Sequence, residues 1–470
     1  MRHIDGVSRQ QGTLLPATLD DYLAEDHPVR VIDAYIDHLD FISLGFSKAA
    51  TKSTGRKPYH PGDLLKLYIY GYLNHVRSSR RLEKECNRNL EVIWLMKRLR
   101  PDFKTIADFR KDNGKAIKSA CQSFIHFCRD AGLISGDLIA IDGSKFKAAA
   151  SADRVVTRKQ LKERRKRIAT LVDHYLAQLA KADKDESRLE MSQDQVQQAL
   201  RRLSDKGLML DKAEAVMDET GTRQYCVTEP DAKLMRSGRE GMVLGYNIQS
   251  AVDTESGLIV HHEVTGDGND LNQLQPMAEQ SKAALKAEQL NVVADAGYSN
   301  GEHLAHCEEQ QITATVPSHR AINNKGDYLQ KEAFRYDEQS NSYWCPAGEE
   351  LFYKTRSNKD KLYLYTRQGC GSCTMKARCT GSKNRWVTRH FYEAAYARSE
   401  LRLVQQPELM NERKKVERPF AILKQVMGIR RFQSRGKEVV RAEIGLAVLS
   451  YNLKRLINRV GTRNLLNAFG

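Results

Sequence analysis

The sequence predicts a mixed α/β core that follows an all-α N-terminal region and carries two insertions. Three observations lead to this prediction. Apolar residues recur every three or four positions through residues 1 to about 132, which is typical of helices that bury one face. Two β-rich runs, 245–253 and 258–266, flank a turn and precede alternating helix and strand patterns, which indicates a mixed sheet. Two further stretches, 153–208 and 320–395, differ in composition from both of these regions.

The N-terminal region, residues 1–132, combines helical periodicity with a basic surface. Short helices that carry cations and start with Ser, Thr or Asp suit contact with phosphates and docking into a DNA groove. The segment 102–110 has the pattern of a recognition helix. A solvated basic face without a ligand explains the same pattern. The candidate DNA-contacting residues here are Arg77, Arg80, Arg81, Lys104 and Arg110.

The two insertions differ in kind. Residues 153–208 are highly charged, and their apolar residues follow a narrow heptad-like seam, which predicts an antiparallel helical hairpin inserted into the core. Residues 320–395 are irregular and contain Gly, Asn and Cys. The last stretch, 400–460, returns to a basic helical pattern.

Length and charge limit the class of protein. The chain has 470 residues, a length typical of two to four domains, and 75 Lys and Arg against 59 Asp and Glu, a formal net charge of +16. Neither a membrane-spanning apolar run nor a secretory signal is evident, and nine cysteines form no disulfide framework, so we expect a cytoplasmic protein in reducing surroundings. The excess positive charge favours nucleic acid as the partner, although a merely basic enzyme has the same composition.

Two aspartates follow apolar runs that predict buried strands. Asp142 comes after residues 138–141, and Asp295 comes after residues 292–294. Open α/β folds place functional side chains at such strand ends. Glu417 lies in the basic C-terminal helical stretch, and three carboxylates are a ligand set for hard divalent cations such as Mg²⁺. Ordinary turn or helix-capping roles account for the two aspartates equally well.

Four cysteines lie close together in the irregular insertion. Their spacing, with a single C-x-x-C pair, suits a structural zinc site, and reduced free thiols are the alternative. The candidate zinc ligands are Cys345, Cys370, Cys373 and Cys379.

Three sequence blocks resemble the catalytic blocks of DDE transposases from bacterial insertion sequences. They are IAIDGSKF, VVADAGYSNGEHL, and VERPFAILKQVMGIRRFQSRG with the following LAVLSYNLKRLI. The chain is most similar to the 1182 group, and PYHPGDLLKLYIYGYLNHV with the residues after it resembles the N-terminal domain of InsH-type transposases. The resemblance extends from about residue 10 to residue 460.

The resemblance implies a fold, a ligand set and a division into domains. It implies an RNase H-like core at 133–319 and 396–460, a DNA-binding domain at 1–132, and the two insertions at 153–208 and 320–395. Asp142, Asp295 and Glu417 correspond to the three acids that hold two Mg²⁺ or Mn²⁺ ions. Asp231 and the pair Asn269 and Asp270 also match positions in related sequences, where we expect structural or supporting roles.

The last helix of the related enzymes carries a spaced signature of Tyr, Arg, Glu and Lys. Arg413, Glu417 and Lys424 match it, whereas Met410 replaces the Tyr, so no role of that Tyr transfers to this chain. Cations in this stretch would hold phosphates at the reacting centre and offset the repulsion between carboxylates and DNA. The candidates are Arg413, Lys424, Arg430 and Arg431.

The function implied is DNA transposition. The protein would bind the terminal inverted repeats of its element, cleave double-stranded DNA by metal-dependent hydrolysis, and join the freed 3′-hydroxyl to target DNA. It would act as a homodimer or a higher oligomer on DNA, in the cytoplasm and associated with the nucleoid. A non-catalytic DNA-binding protein and a stand-alone nuclease of the same fold are the alternatives.

Overall fold

A computed structural model describes residues 18–50, 54, 57–182, 193–238, 240–318 and 328–469. The first 17 residues of the predicted helical region and the tip of the predicted hairpin lie outside the described residues. Within it, the N-terminal region is helical and the rest is built around a curled mixed sheet, as the sequence predicts. No helix in the described ranges has the length and apolar character needed to cross a membrane.

Six helices form the N-terminal region. Two of them begin at a proline preceded by a histidine whose ring accepts a backbone N–H, and Asp102 caps the helix that contains the predicted recognition segment. The helices are α1 Pro28–Asp37, α2 Pro61–Leu73, α3 Ser79–Arg88, α4 Leu90–Leu95, α5 Phe103–Asp112 and α6 Gly114–Asp130.

Thirteen strands follow in the described part of the chain, in three sheets. They are β1 Ile139–Lys147, β2 Val155–Thr157, β3 Gln224–Cys226, β4 Lys233–Ser237, β5 Gly241–Asp253, β6 Ile259–Thr265, β7 Leu290–Ala294, β8 Ile312–Thr315, β9 Arg335–Asp337, β10 Ser342–Trp344, β11 Glu350–Ser357, β12 Leu362–Thr366 and β13 Trp386–His390.

The first sheet holds both candidate aspartates. β5 pairs antiparallel with β1 along one edge and antiparallel with β4 and then β6 along the other. β7 lies parallel to β1, and β8 lies parallel to β7. The strand order across the sheet is therefore β6-β5-β1-β7-β8, with β4 extending the β6 edge. The predicted hairpin of β5 and β6 is confirmed.

Ten further α-helices lie between and after these strands in the described part of the chain. They are α7 Arg158–Ala182, α8 Gln193–Thr220, α9 Leu274–Leu285, α10 Gly301–Glu309, α11 Lys376–Cys379, α12 Glu393–Gln405, α13 Leu409–Arg413, α14 Glu417–Ala421, α15 Lys437–Val460 and α16 Thr462–Phe469. Of these, α9, α10, α12, α13 and α15 contact strands of the first sheet. A π-helical segment, Ile422–Val426, follows α14.

One long helix joins the helical region to the sheet. α15 is buried along most of its length and packs against α2 and α6 on one side and β6 on the other. The apolar side chains of the N-terminal helices, the first sheet and α15 belong to one continuous hydrophobic cluster. The N-terminal region is thus built onto the sheet, rather than attached through a loose linker.

The two insertions form separate small cores. α7 and α8 pack together with the two-stranded sheet β2-β3 around residues that include Val156, Leu161 and Met217. α8 continues to Thr220, twelve residues past the predicted end at 208, because Leu210, Ala213 and Met217 extend the apolar seam. The cysteine-bearing insertion, predicted as irregular, contains the five-stranded sheet β13-β12-β11-β10-β9.

Candidate active site

Asp142 lies on the strand at the centre of the first sheet. The sequence predicts a strand that ends at this residue, but that boundary is wrong: β1 continues to Lys147, because β5 pairs with it over its whole length. The parallel neighbour β7 pairs with β1 only as far as Ile141, opposite Ala294. Asp142 therefore follows the last residue of the parallel pairing, in mid-strand.

Asp295 directly follows β7 and caps a short 3₁₀ turn, Ala296–Tyr298. Its carboxylate oxygen Oδ1 accepts a hydrogen bond of 2.8 Å from the backbone N–H of Gly297. The predicted position after a buried strand is confirmed, and the capping alternative also holds. Because Ile141 and Ala294 are partners across the parallel pair, the next residues, Asp142 and Asp295, are neighbours.

The surroundings of Asp142 shift the pKa of its carboxyl group. Burial, and then the charge of Asp295, raise the pKa of Asp142 to about 7. The backbone N–H of Gly143, which donates to Asp142 at 2.7 Å, and the guanidinium of Arg413 act in the opposite direction, and Asp270 adds to the rise. Two partly buried carboxylates on neighbouring residues of adjacent strands attract a group of positive charge, such as a cation.

The raised pKa of Asp142 predicts how stability depends on pH without divalent cations. An aspartate in an unfolded chain has a pKa near 3.9, so between about pH 4 and pH 7 the folded chain binds a proton that the unfolded chain has released, and stability from this group falls as pH rises. We expect Asp142→Asn to be more stable than the wild type at about pH 8, with the difference closing near pH 4. Thermal melting in EDTA across this range measures it, and a difference that does not vary with pH would contradict the assignment.

Glu417 lies apart from the aspartate pair. It opens α14, as predicted from Pro419, and its side chain is 58% exposed. Arg413 bridges the two: its Nη1 lies 3.7 Å from Asp142 Oδ2, and its Nη2 donates to Glu417 Oε1 at 2.8 Å. Among the residues that the structure describes, no group of three or more His, Cys, Asp or Glu side chains is close enough together to hold a metal ion as it stands. The structure thus brings Asp142 and Asp295 together and leaves Glu417 bound to Arg413.

A polar network lies behind the aspartates, and of its members the sequence points to Asp270 but not to Asn247, Gln249 or Tyr298. Asp270 Oδ1 accepts hydrogen bonds from Asn247 Nδ2 at 2.7 Å and Gln249 Nε2 at 2.6 Å. Gln249 Oε1 in turn accepts the hydroxyl of Tyr298, the last residue of the turn that Asp295 caps. The available signal was the pair of amides two residues apart in a strand that is otherwise apolar and buried.

The predicted DNA-contacting cations fall into two groups. One group is exposed, while the other is bonded within the protein. Arg110 is partly buried with its guanidinium over the Tyr68 ring, and Lys424 donates to Ser144 Oγ at 2.6 Å and to the carbonyl of Lys145. These contacts give both side chains an internal role. The exposed group consists of Arg80, Arg81, Lys104, Arg430 and Arg431.

Arg77 has the most extensive internal role among the predicted DNA contacts. Its side chain is 10% exposed, and its guanidinium donates to the backbone carbonyls of Gly428 and Arg431 and to the carboxylate of Glu443. Glu443, which is fully buried, also accepts the backbone N–H groups of Gln433 and Ser434. A DNA phosphate would have to compete with Glu443 for the guanidinium of Arg77. The contacts of Arg77 instead connect the helical region to the loop after the π-helical segment.

The four clustered cysteines line one cavity of about 270 Å³ in the cysteine-bearing insertion. Cys345 and Cys370 each begin a turn. The carbonyl of Cys345 accepts the N–H of Gly348, and the carbonyl of Cys370 accepts the N–H of Cys373. The four thiols do not converge into a formed metal cluster within the described residues. The five other cysteines are buried.

Comparison with known proteins identifies the class. Residues 220–453 match the family model described as transposase DDE domain, and residues 17–112 match the transposase domain DUF772. The first range contains Asp295 and Glu417, while Asp142 lies upstream of it. The chain is therefore a DNA transposase of the DDE class.

The pairing of these two domains is the architecture of the 1182-group DDE transposases, and the chain belongs with them. No curated protein sequence matches the chain. Among solved structures it aligns with a cryo-EM structure of the piggyBac transposase synaptic complex with hairpin DNA. That alignment has 11% identity, covers 94% of this chain and 80% of the other, and has a TM-score of 0.33, too low to establish a common fold.

Proposed function

We propose that the chain cleaves DNA at the ends of its element and joins the freed 3′-hydroxyl to target DNA, with Asp142 and Asp295 as cation ligands. The observation that carries this proposal is the adjacency of the two carboxylates, directly after the last residues of the parallel pairing between β1 and β7; burial, and then the charge of Asp295, raise the pKa of Asp142 to about 7. Groups of like charge are held together in this way where a cation or a proton is to be bound.

The first sheet supports an RNase H-like assignment for the core. Its order, β6-β5-β1-β7-β8, combines three antiparallel strands with two that run parallel to the central one. Asp295 follows β7, and Asp142 follows the part of β1 that pairs parallel with β7, near the strand ends where open α/β sheets place their sites. We propose residues 133–319 and 396–460 as this core, with the hairpin and the cysteine-bearing insertion interrupting it and 1–132 as the region that binds the terminal inverted repeats.

The donor set fits Mg²⁺ or Mn²⁺, since carboxylate oxygens are the ligands these hard ions prefer. Two such ions about 3.5–4 Å apart stabilise both the attacking and the leaving oxygen in displacement at phosphorus. Asp142 and Asp295 would hold the ions, and Glu417 would join them as the third ligand after release from Arg413. The guanidinium of Arg413, 3.7 Å from Asp142, would keep a compensating positive charge at the site.

The exposed cations supply two candidate DNA surfaces. Arg80, Arg81 and Lys104 lie on α3 and α5 of the helical region, and Arg430 and Arg431 follow the π-helical segment. Phosphate contacts by such residues position DNA without reading its sequence. We propose that the first set contacts the element ends and the second set contacts the reacting phosphates, in a homodimer or a higher oligomer that holds two ends.

For the four clustered cysteines we propose one structural zinc ion, supported by their shared cavity and the single C-x-x-C turn. Metal analysis of the purified protein should then give about one zinc per chain. Cys370→Ser and Cys373→Ser should lose it, whereas Ser372→Ala, between them, should keep it. Zinc-free wild-type protein would leave the cysteines as reduced thiols.

An end-joining assay tests the proposed reaction. Labelled DNA that carries the element's end is incubated with the protein and a target plasmid in Mg²⁺, in Mn²⁺ and in EDTA. We expect nicking and joined products with either metal and neither product in EDTA. Nicking without joining would indicate a nuclease, and sequence-specific gel shifts without nicking would indicate a non-catalytic DNA-binding protein.

A further inference from the structure

We propose that Asn247, Gln249 and Asp270 form a clamp that positions the two metal-binding aspartates, with Asp270 as its anchor. This inference rests on the proposed function of Asp142 and Asp295. The clamp is formed by two amides on β5 and a carboxylate in the loop before α9. Asp270 acts through its neighbours, so it is a positioning residue.

The two amides of the clamp are buried, Asp270 is half-buried, and the hydrogen bonds converge on one oxygen. Gln249 is fully buried and Asn247 is 1% exposed, and both donate to Asp270 Oδ1. Buried amides are costly unless their hydrogen bonds are made, so the charge of Asp270 holds both side chains in one orientation. Asn247 also donates to the backbone carbonyl of Asp267 at 3.2 Å, which ties the loop to β5.

The first connection runs from the clamp to Asp295. The hydroxyl of Tyr298 donates to Gln249, and Tyr298 is fully buried at the end of the turn that begins at Asp295. The backbone N–H of Tyr298 also donates to the carbonyl of Asp295 at 3.1 Å. Because Asp270 orients Gln249 and Gln249 holds Tyr298, the clamp fixes the turn from which the Asp295 carboxylate extends.

The second connection runs to Asp142 through Gly143. Gly143 is opposite Gln249 in the paired strands. A Cβ atom on Gly143 would lie 2.4 Å from Gln249 Nε2 and 2.5 Å from Asp270 Oδ1, closer than real Cβ atoms approach such groups. The absence of a side chain at Gly143 therefore lets the clamp reach the backbone of β1, at the residue whose own N–H donates to the Asp142 carboxylate.

Asp270 also raises the pKa of Asp142. A role of Asp270 in the clamp and direct binding of the cation by Asp270 nevertheless predict different effects of substitutions at this residue. In the clamp, one oxygen of Asp270 accepts both amides, and an asparagine still offers one carbonyl oxygen there. A residue that ligated the cation directly would lose that ability when changed to asparagine. Asp270→Asn should therefore be much less defective than Asp270→Ala if the clamp is the role.

The test measures Mn²⁺ binding in the absence of DNA, by the EPR signal of the free ion, together with nicking of end DNA and thermal melting. Loss of supporting hydrogen bonds behind metal ligands typically lowers affinity or activity about 10- to 100-fold. We expect an effect of about this size for Asp270→Ala, a smaller one for Tyr298→Phe, which removes only the hydroxyl that donates to Gln249, and recovery towards wild type in Asp270→Asn. Asp267→Asn, whose carboxylate bonds to Gln273 instead, is the matched control and should bind Mn²⁺ like the wild type.

The outcomes separate the clamp from the proposed function. Unchanged Mn²⁺ binding and nicking in Asp270→Ala would overturn the clamp, and so would Asp270→Asn as defective as Asp270→Ala. If Asp270→Ala fails to fold, Tyr298→Phe decides: wild-type Mn²⁺ affinity in that variant would overturn the clamp. Wild-type nicking by Asp142→Asn would instead refute the proposed function itself.

Discussion

Replacing Asp142 or Asp295 by asparagine is expected to lower the rate of end cleavage about a thousandfold while DNA binding persists. An asparagine keeps the size of the side chain but removes the anionic oxygen that would hold the cation. Metal ions contribute several kcal/mol of charge stabilisation in the transition state, and each 1.4 kcal/mol corresponds to about tenfold in rate. Single-turnover cleavage of labelled end DNA measures the rate, and gel shifts measure binding.

Asp137→Asn is the matched control for this pair. Asp137 is an exposed acid just before β1, so its replacement removes the same charge without touching the candidate site. It should cleave at the wild-type rate. Cleavage by Asp142→Asn and Asp295→Asn at that same rate would remove both residues from the mechanism.

Replacing Glu443 by alanine should cause the largest loss of stability of the changes considered. Glu443 is fully buried and accepts Arg77 at 3.0 Å and the N–H groups of Gln433 and Ser434. Without it, the guanidinium of Arg77 keeps only two backbone carbonyls and no counter-charge, and two backbone donors lose their partner. Breaking a buried ion pair by removing one member typically destabilises a protein by about 3–5 kcal/mol. Urea unfolding followed by circular dichroism measures the change.

A neighbouring glutamate on the same helix provides the comparison. Glu438 pairs with Arg441 in the first turn of α15, but its side chain is 74% exposed. Exposed pairs contribute about 1 kcal/mol or less, so Glu438→Ala should unfold close to the wild-type midpoint. Equal losses for the two substitutions would show that Glu443 does not form a buried ion pair in solution.

The spacing of apolar residues predicts most of the helices and strands, since it shows which face of each one is buried. The helices predicted within 1–132, as far as the structure describes that range, and the β5–β6 hairpin are confirmed because apolar spacing depends on local geometry. Apolar spacing does not show that Asp142 and Asp295 are adjacent, because adjacency depends on the register between β1 and β7, which are more than a hundred residues apart; only the family resemblance placed the two acids in one site. The end of β1 was wrong for a related reason: polar residues after Asp142 continue the strand because β5 pairs with them.

Charge patterns predicted less than apolar patterns. Arg77 and Arg80 look alike in the sequence, yet Arg80 is exposed while Arg77 is bonded to Glu443, more than 360 residues away along the chain. A cation's partner is set by the tertiary fold, so a basic run does not by itself distinguish a DNA contact from a buried ion pair. The amide pair Asn247 and Gln249 carried a better signal, because polar side chains in a buried strand require partners.

Iron-mediated cleavage of the polypeptide tests most directly whether Asp142 and Asp295 hold a divalent cation. Fe²⁺ takes the place of Mg²⁺ at oxygen ligands, and in ascorbate and peroxide it generates radicals that cut the chain close to where it is bound. The wild-type protein should give fragments that end near residues 142 and 295, and excess Mg²⁺ should suppress them. The fragments should be absent from Asp142→Asn and Asp295→Asn. Wild-type protein without cuts near these residues, or with the same cuts in both variants, would contradict a cation site between the two aspartates.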